Sequence, residues 1–433
     1  MKILYLAHRI PYPPNKGDKI RSFNAVRCLA RNHGVDLVCL VDDTNDMKYR
    51  KDLQNICRRV LAVPLGRSRS RIAGAFSLLS GGTASVGVFY SPGLQKALNR
   101  WLSSENYDAV VCFSSPMAEY LFRSPGWNGR RGSTCPAPRD GGASLHGVRP
   151  VPHPPPRTVM DFCDVDSDKW RQYAGESRFP LRLLYGIESR RLLRYEMRVN
   201  RVFDHSVFAS TSEADLFARL FPGARNVRAV SNGVDHGFFS PEFDPRFEPA
   251  PPSGLAETRL RRPAVVFTGA MDYHANVDGV AWFADEVWPE IRVRYPKASF
   301  YIVGSRPVPR VRTLARRPGI HVTGFVEDVR PYYAQADVCV IPLRLARGVQ
   351  NKVLEALSMA RPVVATSRAN QGILAVPGEH LLVRDTAVGF RQAVLSLLED
   401  PTSGEALGRR GRTFVCDHFD WDRNMCGLEG CLA

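Results

Sequence analysis

The sequence lacks the short motifs that most directly mark several common classes of protein. Its ten cysteines form no C-x-x-C pair, which argues against a zinc ribbon or a thioredoxin-like redox site. It contains neither G-x-G-x-x-G nor G-x-x-x-x-G-K-[ST], the fingerprints of nicotinamide binding and of nucleotide P-loops. No run of 18 apolar residues occurs, and the apolar run before His8 is too short for a signal-peptide core. We therefore expect a cytoplasmic protein, soluble or peripheral on the inner face of the plasma membrane.

The composition is that of a folded, multidomain protein with an excess of positive charge. The chain has 433 residues, 44% hydrophobic and 24% charged, which excludes a disordered or collagen-like chain and suggests two or three domains. Its 59 Lys and Arg against 43 Asp and Glu give a net charge of +16. Such a balance indicates polyanionic partners such as nucleic acid, acidic lipid or phosphorylated substrates. No nucleic-acid-binding motif accompanies it, so we do not expect nucleic acid as a partner.

Short apolar runs alternate with longer amphipathic ones, which predicts an α/β fold of two doubly wound parallel sheets facing a cleft. The predicted strands are Ile3–Ala7, Val35–Val41, Val60–Pro64, Ala109–Phe113, Thr158–Asp161, Val207–Ser210 and Val227–Val230, then Ala264–Phe267, Ser299–Val303, Ile320–Thr323, Val338–Pro342, Val363–Ala365 and Leu381–Val383. The predicted helices include Ser22–Arg31, Leu94–Leu102, Val277–Arg294, Asn351–Ala360 and Phe390–Leu398.

Composition also divides the chain into domains. We predict a first Rossmann-like domain at 1–240, a Pro-rich linker at 241–263 and a second domain at 264–433. Residues 123–157 contain eight Pro, six Gly and six Arg with one acid, and we interpret them as a flexible insertion in the first domain. A solvated loop without a dedicated role is the preferred interpretation of that insertion, because it has only one aromatic residue for stacking on bases.

Two strand–helix connections are candidates for binding an anionic ligand. In the first, Gly17 precedes a helix predicted to begin near Ile20, and a glycine there lets a ligand approach the backbone. That signal is weak, and a plain loop explains it equally well. In the second, Gly348 leads into a helix whose first turn carries Lys352, with Glu355 on the same face.

A cation in the first turn opposes the helix dipole unless an anion occupies the helix start. A diphosphate bound by backbone N–H groups and by Lys352 would supply that anion, and Glu355 could accept hydrogen bonds from ribose hydroxyls. The alternative is an ordinary exposed Lys–Glu pair. The flanking sequence, from Arg344 to Thr366, favours the binding site.

The run Gly348-x-x-x-Lys352-x-x-Glu355-Ala-Leu, followed by Pro362-Val-Val-Ala-Thr, resembles the donor-binding signature of glycosyltransferase family 4. Further matching segments are the Gly17 loop, Ser210-x-Ser-Glu213, Ser231-Asn-Gly-Val-Asp235, Thr268-Gly-Ala-Met-Asp272 and Gly324-Phe-Val-Glu-Asp328. The resemblance implies the GT-B fold, with a nucleotide-diphosphate sugar bound by the second domain. It assigns donor-binding roles to Gly17, Gly269, Met271, Arg344, Arg347, Gly348, Asn351, Lys352 and Glu355.

A closer resemblance is to the sugar transferases of PEP-CTERM/exosortase exopolysaccharide systems. It is carried by Asp161-Phe-x-Asp164-Val-Asp166-Ser-x-Lys169-Trp170, by Met271-Asp-Tyr…Asn276-Val-Asp278 and by Gln350-Asn-Lys-Val-Leu-Glu355. Asp164-Val-Asp166 also reads D-x-D, a metal motif of the other large glycosyltransferase fold. We expect no metal and no cofactor, with Asp164, and secondly Asp166, as acceptor base or orienter. The alternative is that Asp166 or Ser167 caps a helix.

Three features depart from the family pattern. Gly17 is followed by Asp18, where a second glycine is common. Many family members carry a second glutamate eight residues before Glu355, where this chain has Arg347. The resemblance implies retention of anomeric configuration, and this departure weakens that inference. After Trp421 the segment Cys426-Gly-Leu-Glu-Gly-Cys431 predicts a poor helix where GT-B enzymes have a helix that returns to the first domain.

Basic segments in the first domain complete the prediction. Arg182–Arg201 carries six arginines between apolar residues, and Arg67–Leu79 has a similar pattern. A solvated helix face and an anionic membrane surface are equally good interpretations. Together the sequence predicts a glycosyltransferase that moves a sugar to a hydroxyl of a lipid-linked exopolysaccharide or cell-surface glycan precursor, with a glycan or polyprenyl-diphosphate-linked acceptor. The alternatives are a sugar-nucleotide epimerase and an inactive GT-B-like scaffold at the membrane.

Overall fold

The computed structural model describes residues 1–125, 127, 154–243 and 259–433, without the side chains of residues 67 and 69. These residues form two compact units: residues 1–208, 213–230 and 425–433 make the first, and residues 209–212 and 231–424 make the second. Most of the predicted insertion 123–157 and of the predicted linker 241–263 lies outside the described residues. Within the described residues, no helix combines the length and apolar character needed to cross a bilayer.

The first unit is built on a seven-stranded parallel sheet in the order β3-β2-β1-β4-β5-β6-β7. Its strands are β1 Lys2–Ala7, β2 Gly34–Val41, β3 Arg59–Pro64, β4 Ala109–Phe113, β5 Arg157–Cys163, β6 His205–Phe208 and β7 Val227–Ala229. Its helices include α1 Gly17–Asn32, α2 Arg50–Gln54, α3 Arg67–Leu79, α4 Ala84–Val88, α5 Pro92–Ser104, α6 Ala118–Phe122, α7 Asp166–Glu176, α8 Leu181–Val202 and most of α9 Thr211–Leu220. Short 3₁₀ turns cover Thr44–Tyr49 and Ser115–Met117.

The second unit has a six-stranded parallel sheet in the order β10-β9-β8-β11-β12-β13. Its strands are β8 Ala264–Thr268, β9 Ser299–Val303, β10 Ile320–Gly324, β11 Val338–Ile341, β12 Val363–Ala365 and β13 Leu382–Val383. Its helices are α10 His274–Trp282, α11 Trp288–Arg294, α12 Pro309–Leu314, α13 Arg330–Gln335, α14 Asn351–Ser358, α15 Ser367–Asn370, α16 Ala387–Glu399 and α17 Pro401–His418, followed by α18 Trp421–Glu429, which the two units share.

The predicted pair of doubly wound parallel sheets is confirmed. Central strands such as β1, β4, β8 and β9 are almost wholly buried, as expected where helices cover both faces of a sheet. In each sheet the first strand in the chain lies in the interior of the sheet. The next two strands lie on one side of it, and all later strands lie on the other side. The order reverses between β1 and β4 in the first unit and between β8 and β11 in the second, and ligands of such sheets bind at the carboxyl ends of those strands.

Three local predictions were wrong. The first helix begins at Gly17 and not near Ile20, which places Asp18 in its first turn, where an acidic side chain is stabilised by the helix dipole. The single helix predicted at Val277–Arg294 starts at His274 and is interrupted by a π turn at Phe283–Val287, just before Pro289, which has no N–H to donate.

The third is the C-terminal end, where α18 is helical despite Gly427. A Cβ at that glycine would lie 3.1 Å from Val230 Cγ2, so the small residue allows close packing there. The boundaries of the units also differ from the predicted division at 240 and 264, because residues 231–240 group with the second unit and 425–433 with the first. Val234, for example, donates its backbone N–H to Phe419 O at 2.8 Å.

Candidate functional site

The candidate site of the second unit lies at the carboxyl ends of β8 and β11, the neighbouring strands at which the strand order reverses. Gly269 follows β8 directly, and its φ of 152° is a conformation that favours glycine. A Cβ on Gly269 would lie 2.7 Å from Asn276 Nδ2 and 3.0 Å from Lys352 Nζ. The loop therefore passes Lys352 so closely that only a glycine fits.

Lys352 is the second residue of α14 and points back toward that loop. Its Nζ donates to Asn276 Oδ1 at 2.5 Å and lies 4.7 Å from the centroid of the Phe267 ring. Burial lowers the pKa of Lys352 to about 8, against the opposing influence of Glu355. In the described part of the chain it has an amide partner and no ion pair. A half-buried ammonium group at a helix start, hydrogen-bonded to an uncharged partner, is suited to receive an anion.

Glu355 lies one helical turn further on and is held by Tyr333. The Tyr333 hydroxyl lies 2.9 Å from Glu355 Oε2 and 2.5 Å from Thr268 Oγ1. Burial raises the pKa of Glu355 from its ordinary value, and the tyrosine hydrogen bond and the Lys352 charge partly offset that effect. Tyr333, a residue of α13, thus links the carboxyl end of β8 to α14. Sequence reasoning did not assign a role to Tyr333 or to Asn276, although Asn276 stands in one of the quoted motifs.

The other donor-side candidates are placed around this core. Arg344 forms a bidentate pair with Asp278 at 2.5 and 3.0 Å and is half exposed. The carbonyl of Arg347 accepts a hydrogen bond from Gln350 Nε2 at 2.6 Å. Gly348 adopts a φ of 56°, the left-handed conformation that glycine tolerates.

Asn351 and Met271 differ in whether their side chains could contact a ligand. Asn351 opens α14, and its Oδ1 accepts from Asn232 Nδ2 at 3.2 Å, whereas its Nδ2 is buried without a partner among the described residues. The Met271 side chain is fully buried in the core of the unit, and its backbone N–H donates to Ser305 O at 2.8 Å. The structure thus brings together Gly269, Lys352 and Glu355, with Asn351 opening the same helix, whereas Arg344 is engaged with Asp278 and Met271 is enclosed.

In the first unit, the acidic motif follows β5. Cys163 has a φ of 65°, and Asp164 comes next, half-buried, with its backbone N–H donating to Phe162 O at 2.9 Å. Asp166 is the first residue of α7 and lies 3.7 Å from Lys169 Nζ. Gly17, the remaining donor candidate, is the first residue of α1.

The alternative interpretation, that Asp166 or Ser167 caps the helix, is wrong. The residue before α7 is Val165, which has no capping side chain, and the first N–H groups are satisfied by distant carboxylates. Val165 N donates to Glu213 Oε2 at 2.8 Å, and Ser167 N donates to Glu196 Oε1 at 3.1 Å. Burial raises the pKa of Glu196 to about 8, which the hydrogen bonds from Ser167 reduce only in part.

Two charged groups at the carboxyl edge of the first sheet were not predicted. Arg21 and Asp161 are both fully buried and form a pair at 2.9 Å, and Arg21 also donates to Val230 O at 2.8 Å. Asp18 accepts from Arg9 at 2.5 Å and lies 3.3 Å from His8 Nε2. Burial would raise the pKa of Asp18, but the hydrogen bond from His8 and the charge of Arg9 hold it well below its usual range.

Asp18 stands where a second glycine is common in the resembled family. Its contacts with Arg9 and His8 explain how an aspartate is stabilised at this position. In the described residues, no group of three His, Cys, Asp or Glu side chains is arranged to hold a metal ion.

Comparison with known proteins supports a glycosyltransferase family. Residues 262–400 match the family described as glycosyl transferases group 1. The chain is 28% identical over 251 residues to a GDP-mannose-dependent alpha-(1-6)-phosphatidylinositol monomannoside mannosyltransferase of Mycolicibacterium smegmatis. That alignment covers 54% of this chain and 64% of the relative, less than two thirds of its length. An uncharacterized 44.6 kDa protein from the cps region of Klebsiella pneumoniae is 20% identical over 97% of this chain and 96% of its own length.

Solved structures define the fold of the whole chain. Sucrose-phosphate synthase from Thermosynechococcus elongatus superposes with a TM-score of 0.68 at 16% identity, over 99% of this chain and 98% of that one. Anabaena Alr3699/HepE in complex with UDP and glucose gives a TM-score of 0.65 at 13% identity, over 100% and 99% of the two chains. The two parallel Rossmann-like sheets and these neighbours establish the GT-B fold, as the sequence predicted.

Proposed function

We propose that this protein is a glycosyltransferase that moves a sugar from a nucleotide-diphosphate sugar to a hydroxyl of a lipid-linked exopolysaccharide or cell-surface glycan precursor. The observation that carries the proposal is the half-buried Lys352 ammonium at the start of α14, beside Gly269 at the reversal point of the second sheet. A site with a half-buried cation, a helix start without a side-chain cap and a glycine-lined approach is suited to a diphosphate. The M. smegmatis relative uses GDP-mannose and HepE binds UDP-glucose, which supports a sugar-nucleotide donor.

The donor diphosphate would lie at the start of α14. Lys352 would exchange its amide partner for a phosphate oxygen and stabilise the negative charge that develops on the departing nucleotide. Glu355, already oriented by Tyr333, would accept hydrogen bonds from the ribose hydroxyls. Arg344 and Arg347 would assist with charge, and Arg344 would do so while its pairing with Asp278 fixes its orientation.

On the acceptor side, the proposal keeps Asp164 as the first choice and Asp166 as the second for orienting or deprotonating the acceptor hydroxyl. The reaction would need no metal and no cofactor, because Lys352 and the helix N-terminus stabilise the leaving group. Retention of configuration rests on the family resemblance, with Arg347 as the position at which this chain departs from it.

The acceptor and the location belong to the same proposal. The relative from M. smegmatis acts on a phosphatidylinositol mannoside, and the Klebsiella relative is encoded in a cps region, which supports a lipid-linked or capsular glycan. The motif around Asp161–Trp170 supports the PEP-CTERM/exosortase-associated subgroup. Such an acceptor would be met at the inner face of the plasma membrane, an anionic surface, by a peripheral protein.

A thermal-shift screen with UDP- and GDP-sugars tests the donor site. We expect stabilisation of the wild type by at least one nucleotide sugar, its loss in Lys352→Met, and its persistence in Lys297→Met, which removes an exposed lysine of the same unit. The absence of stabilisation by every nucleotide sugar would overturn the proposal.

Product analysis with the stabilising donor separates the alternatives. Conversion of the donor sugar to its epimer without an acceptor would identify an epimerase. Donor binding that is unchanged in Lys352→Met, with no transfer to any lipid-linked acceptor, would identify an inactive scaffold.

A further inference from the structure

Helix α3 packs with its small residues inward and its large apolar residues outward. Ser70 and Gly74 are buried, and a Cβ at Gly74 would lie 2.5 Å from Val88 Cγ2 of α4. Ile72, Phe76 and Leu79 are exposed by 70%, 70% and 86%. Their spacing of four and three residues places them in one stripe along the helix. Among the described residues, the outer side of this helix, which exposes phenylalanine and leucine while glycine and serine are buried, has no apolar partner.

A second exposed apolar set lies at the beginning of α8. It consists of Phe179, which is 82% exposed, and of Leu181, Leu183 and Leu184. In folded proteins such large apolar side chains are normally exposed singly, and a group of them marks a surface that meets a partner. Seven of the exposed large apolar residues of the described chain thus belong to two short segments of the first unit.

Hydrogen bonds fix α8 against the connection between α3 and α4. Arg191 donates to the carbonyls of Leu78 and Gly82, the second at 3.0 Å. The buried carboxylate of Glu188 accepts from the backbone N–H groups of Ala84 at 2.7 Å and Ser85 at 2.9 Å. The two apolar sets therefore lie on helices that are joined by hydrogen bonds, and we refer to them together as the α3–α8 surface.

The charges within the two segments have one sign, although the exposed Glu176 directly precedes the second. No Asp or Glu occurs in Arg67–Thr83 or in Ser177–Ile187, whereas the two segments contain five arginines. Arg71, Arg178 and Arg182 are exposed. The later arginines of α8 differ, since Arg191 binds carbonyls and Arg198 and Arg201 stack on the rings of Phe122 and Phe221. The basic pattern of α8 therefore divides into a structural part and a part that faces outward at its beginning.

We propose that the α3–α8 surface docks this protein on an anionic lipid bilayer. Apolar side chains would enter the boundary between headgroups and acyl chains, and the arginines would contact anionic headgroups. The charge pattern favours lipid over a protein partner, because an apolar protein interface requires no uniform positive rim, whereas an anionic bilayer attracts one. The inference rests on the membrane location given under the proposed function, but its test is separate from the transfer reaction, since docking requires neither donor nor acceptor.

Vesicle flotation without nucleotide sugar tests this surface. The wild type should float with vesicles of phosphatidylcholine and phosphatidylglycerol at low salt, and much less with pure phosphatidylcholine vesicles or at high salt. Phe76→Ser/Leu79→Ser should weaken binding by at least about tenfold, because two inserted side chains are lost. Val293→Ser/Phe325→Ser is the matched control, since it removes two exposed apolar side chains of the second unit and should float like the wild type.

Charge reversal tests the electrostatic part. Arg178→Glu/Arg182→Glu should also lose at least about tenfold in binding, whereas Arg310→Glu/Arg316→Glu, exposed in the second unit, should lose less. Equal flotation of all four variants would overturn the proposal, as would wild-type protein that does not float with anionic vesicles at low salt. A dimer in size-exclusion chromatography that Phe76→Ser/Leu79→Ser converts to monomer, with vesicle binding unchanged, would assign the surface to a second copy of the chain and refute docking on lipid.

Discussion

The charged groups at the carboxyl edges of the two sheets differ in whether they form ion pairs. At the carboxyl edge of the first sheet, Arg21 is paired with Asp161 and Asp18 with Arg9, so the charges neutralise one another inside the unit. At the corresponding edge of the second sheet, the Lys352 ammonium is held by an amide. A buried charge in an ion pair serves the folded state. Lys352 is half-buried, its hydrogen bond goes to an amide and Glu355 acts on it only at a distance, so its ammonium group can receive an anion from solution.

The same contrast holds at the surface. The first unit places its surplus positive charge outside, beside exposed apolar residues of α3 and α8. In the second unit, the exposed Arg344 is engaged with Asp278. We therefore propose two distinct roles for positive charge in this chain, one at an outer face of the first unit and one at the half-buried Lys352 of the second.

The largest expected effect concerns the buried pair of the first unit. Arg21→Met alone should lower the free energy of unfolding by about 3–5 kcal/mol, because it leaves the Asp161 carboxylate buried without its partner. Chemical denaturation would measure this loss. The double variant Arg21→Met/Asp161→Leu should recover much of it, and an equally unstable double variant would show that packing rather than charge pairing is at stake.

The matched substitution in the second unit should behave in the opposite way. Lys352→Met should lower the rate of sugar transfer by about a hundredfold or more, since it removes a group that stabilises the leaving nucleotide. Its melting temperature should stay within a few degrees of the wild type, because the lysine is only half-buried, hydrogen-bonds to an amide and forms no ion pair among the described residues. A strongly destabilised Lys352→Met would contradict the distinction between the two units.

The pH dependence of donor affinity sharpens the assignment of Lys352. Its pKa of about 8 lies below its ordinary value, so the lysine loses its proton as the pH rises through 8, and with it the charge that binds phosphate. Affinity for UDP or GDP, measured by calorimetry, should fall by up to about tenfold per pH unit above that value. Lys352→Met should show a flat profile over the same range.

A smaller effect is expected from Glu196 in the first unit. Its pKa of about 8 is raised from 4.5, so the folded protein holds a proton that the unfolded chain releases between those two values. Stability should therefore fall as the pH rises from about 5 to 8, by at most about 1.4 kcal/mol per unit. Thermal melts of Glu196→Gln should be flatter over this interval, and a slope equal to that of the wild type would exclude Glu196 as the cause.

Much of the fold could be predicted from the sequence because its strands are local and continuous. The strands Ala109–Phe113, Ser299–Val303 and Val363–Ala365 were predicted at their observed limits. Their burial on both faces makes them uninterrupted runs of apolar residues, which a sequence displays directly. Helix limits were harder to predict, because they depend on individual backbone hydrogen bonds. The π turn ahead of Pro289 is an example.

Only part of the candidate site could be predicted from the sequence, and the reason is different. Lys352 and Glu355 are neighbours in one helix and show a recognisable spacing, but Asn276 and Tyr333, which hold them, are distant in sequence. The capping of α7 by Glu196 and Glu213 has the same character, since an N-terminal cap supplied by remote carboxylates leaves no local signal. Only Asn276 and Glu213 stood within quoted motifs, and the motifs alone assigned them no partner.

The discontinuity of the units has a consequence for synthesis. Residues 425–433 group with the first unit, where Glu429 Oε1 lies 2.9 Å from His33 Nε2, yet the ribosome makes them after the whole second unit. During translation the first unit must therefore persist without this segment while nearly two hundred further residues emerge. Shortening the chain from that end would alter the unit that was made first.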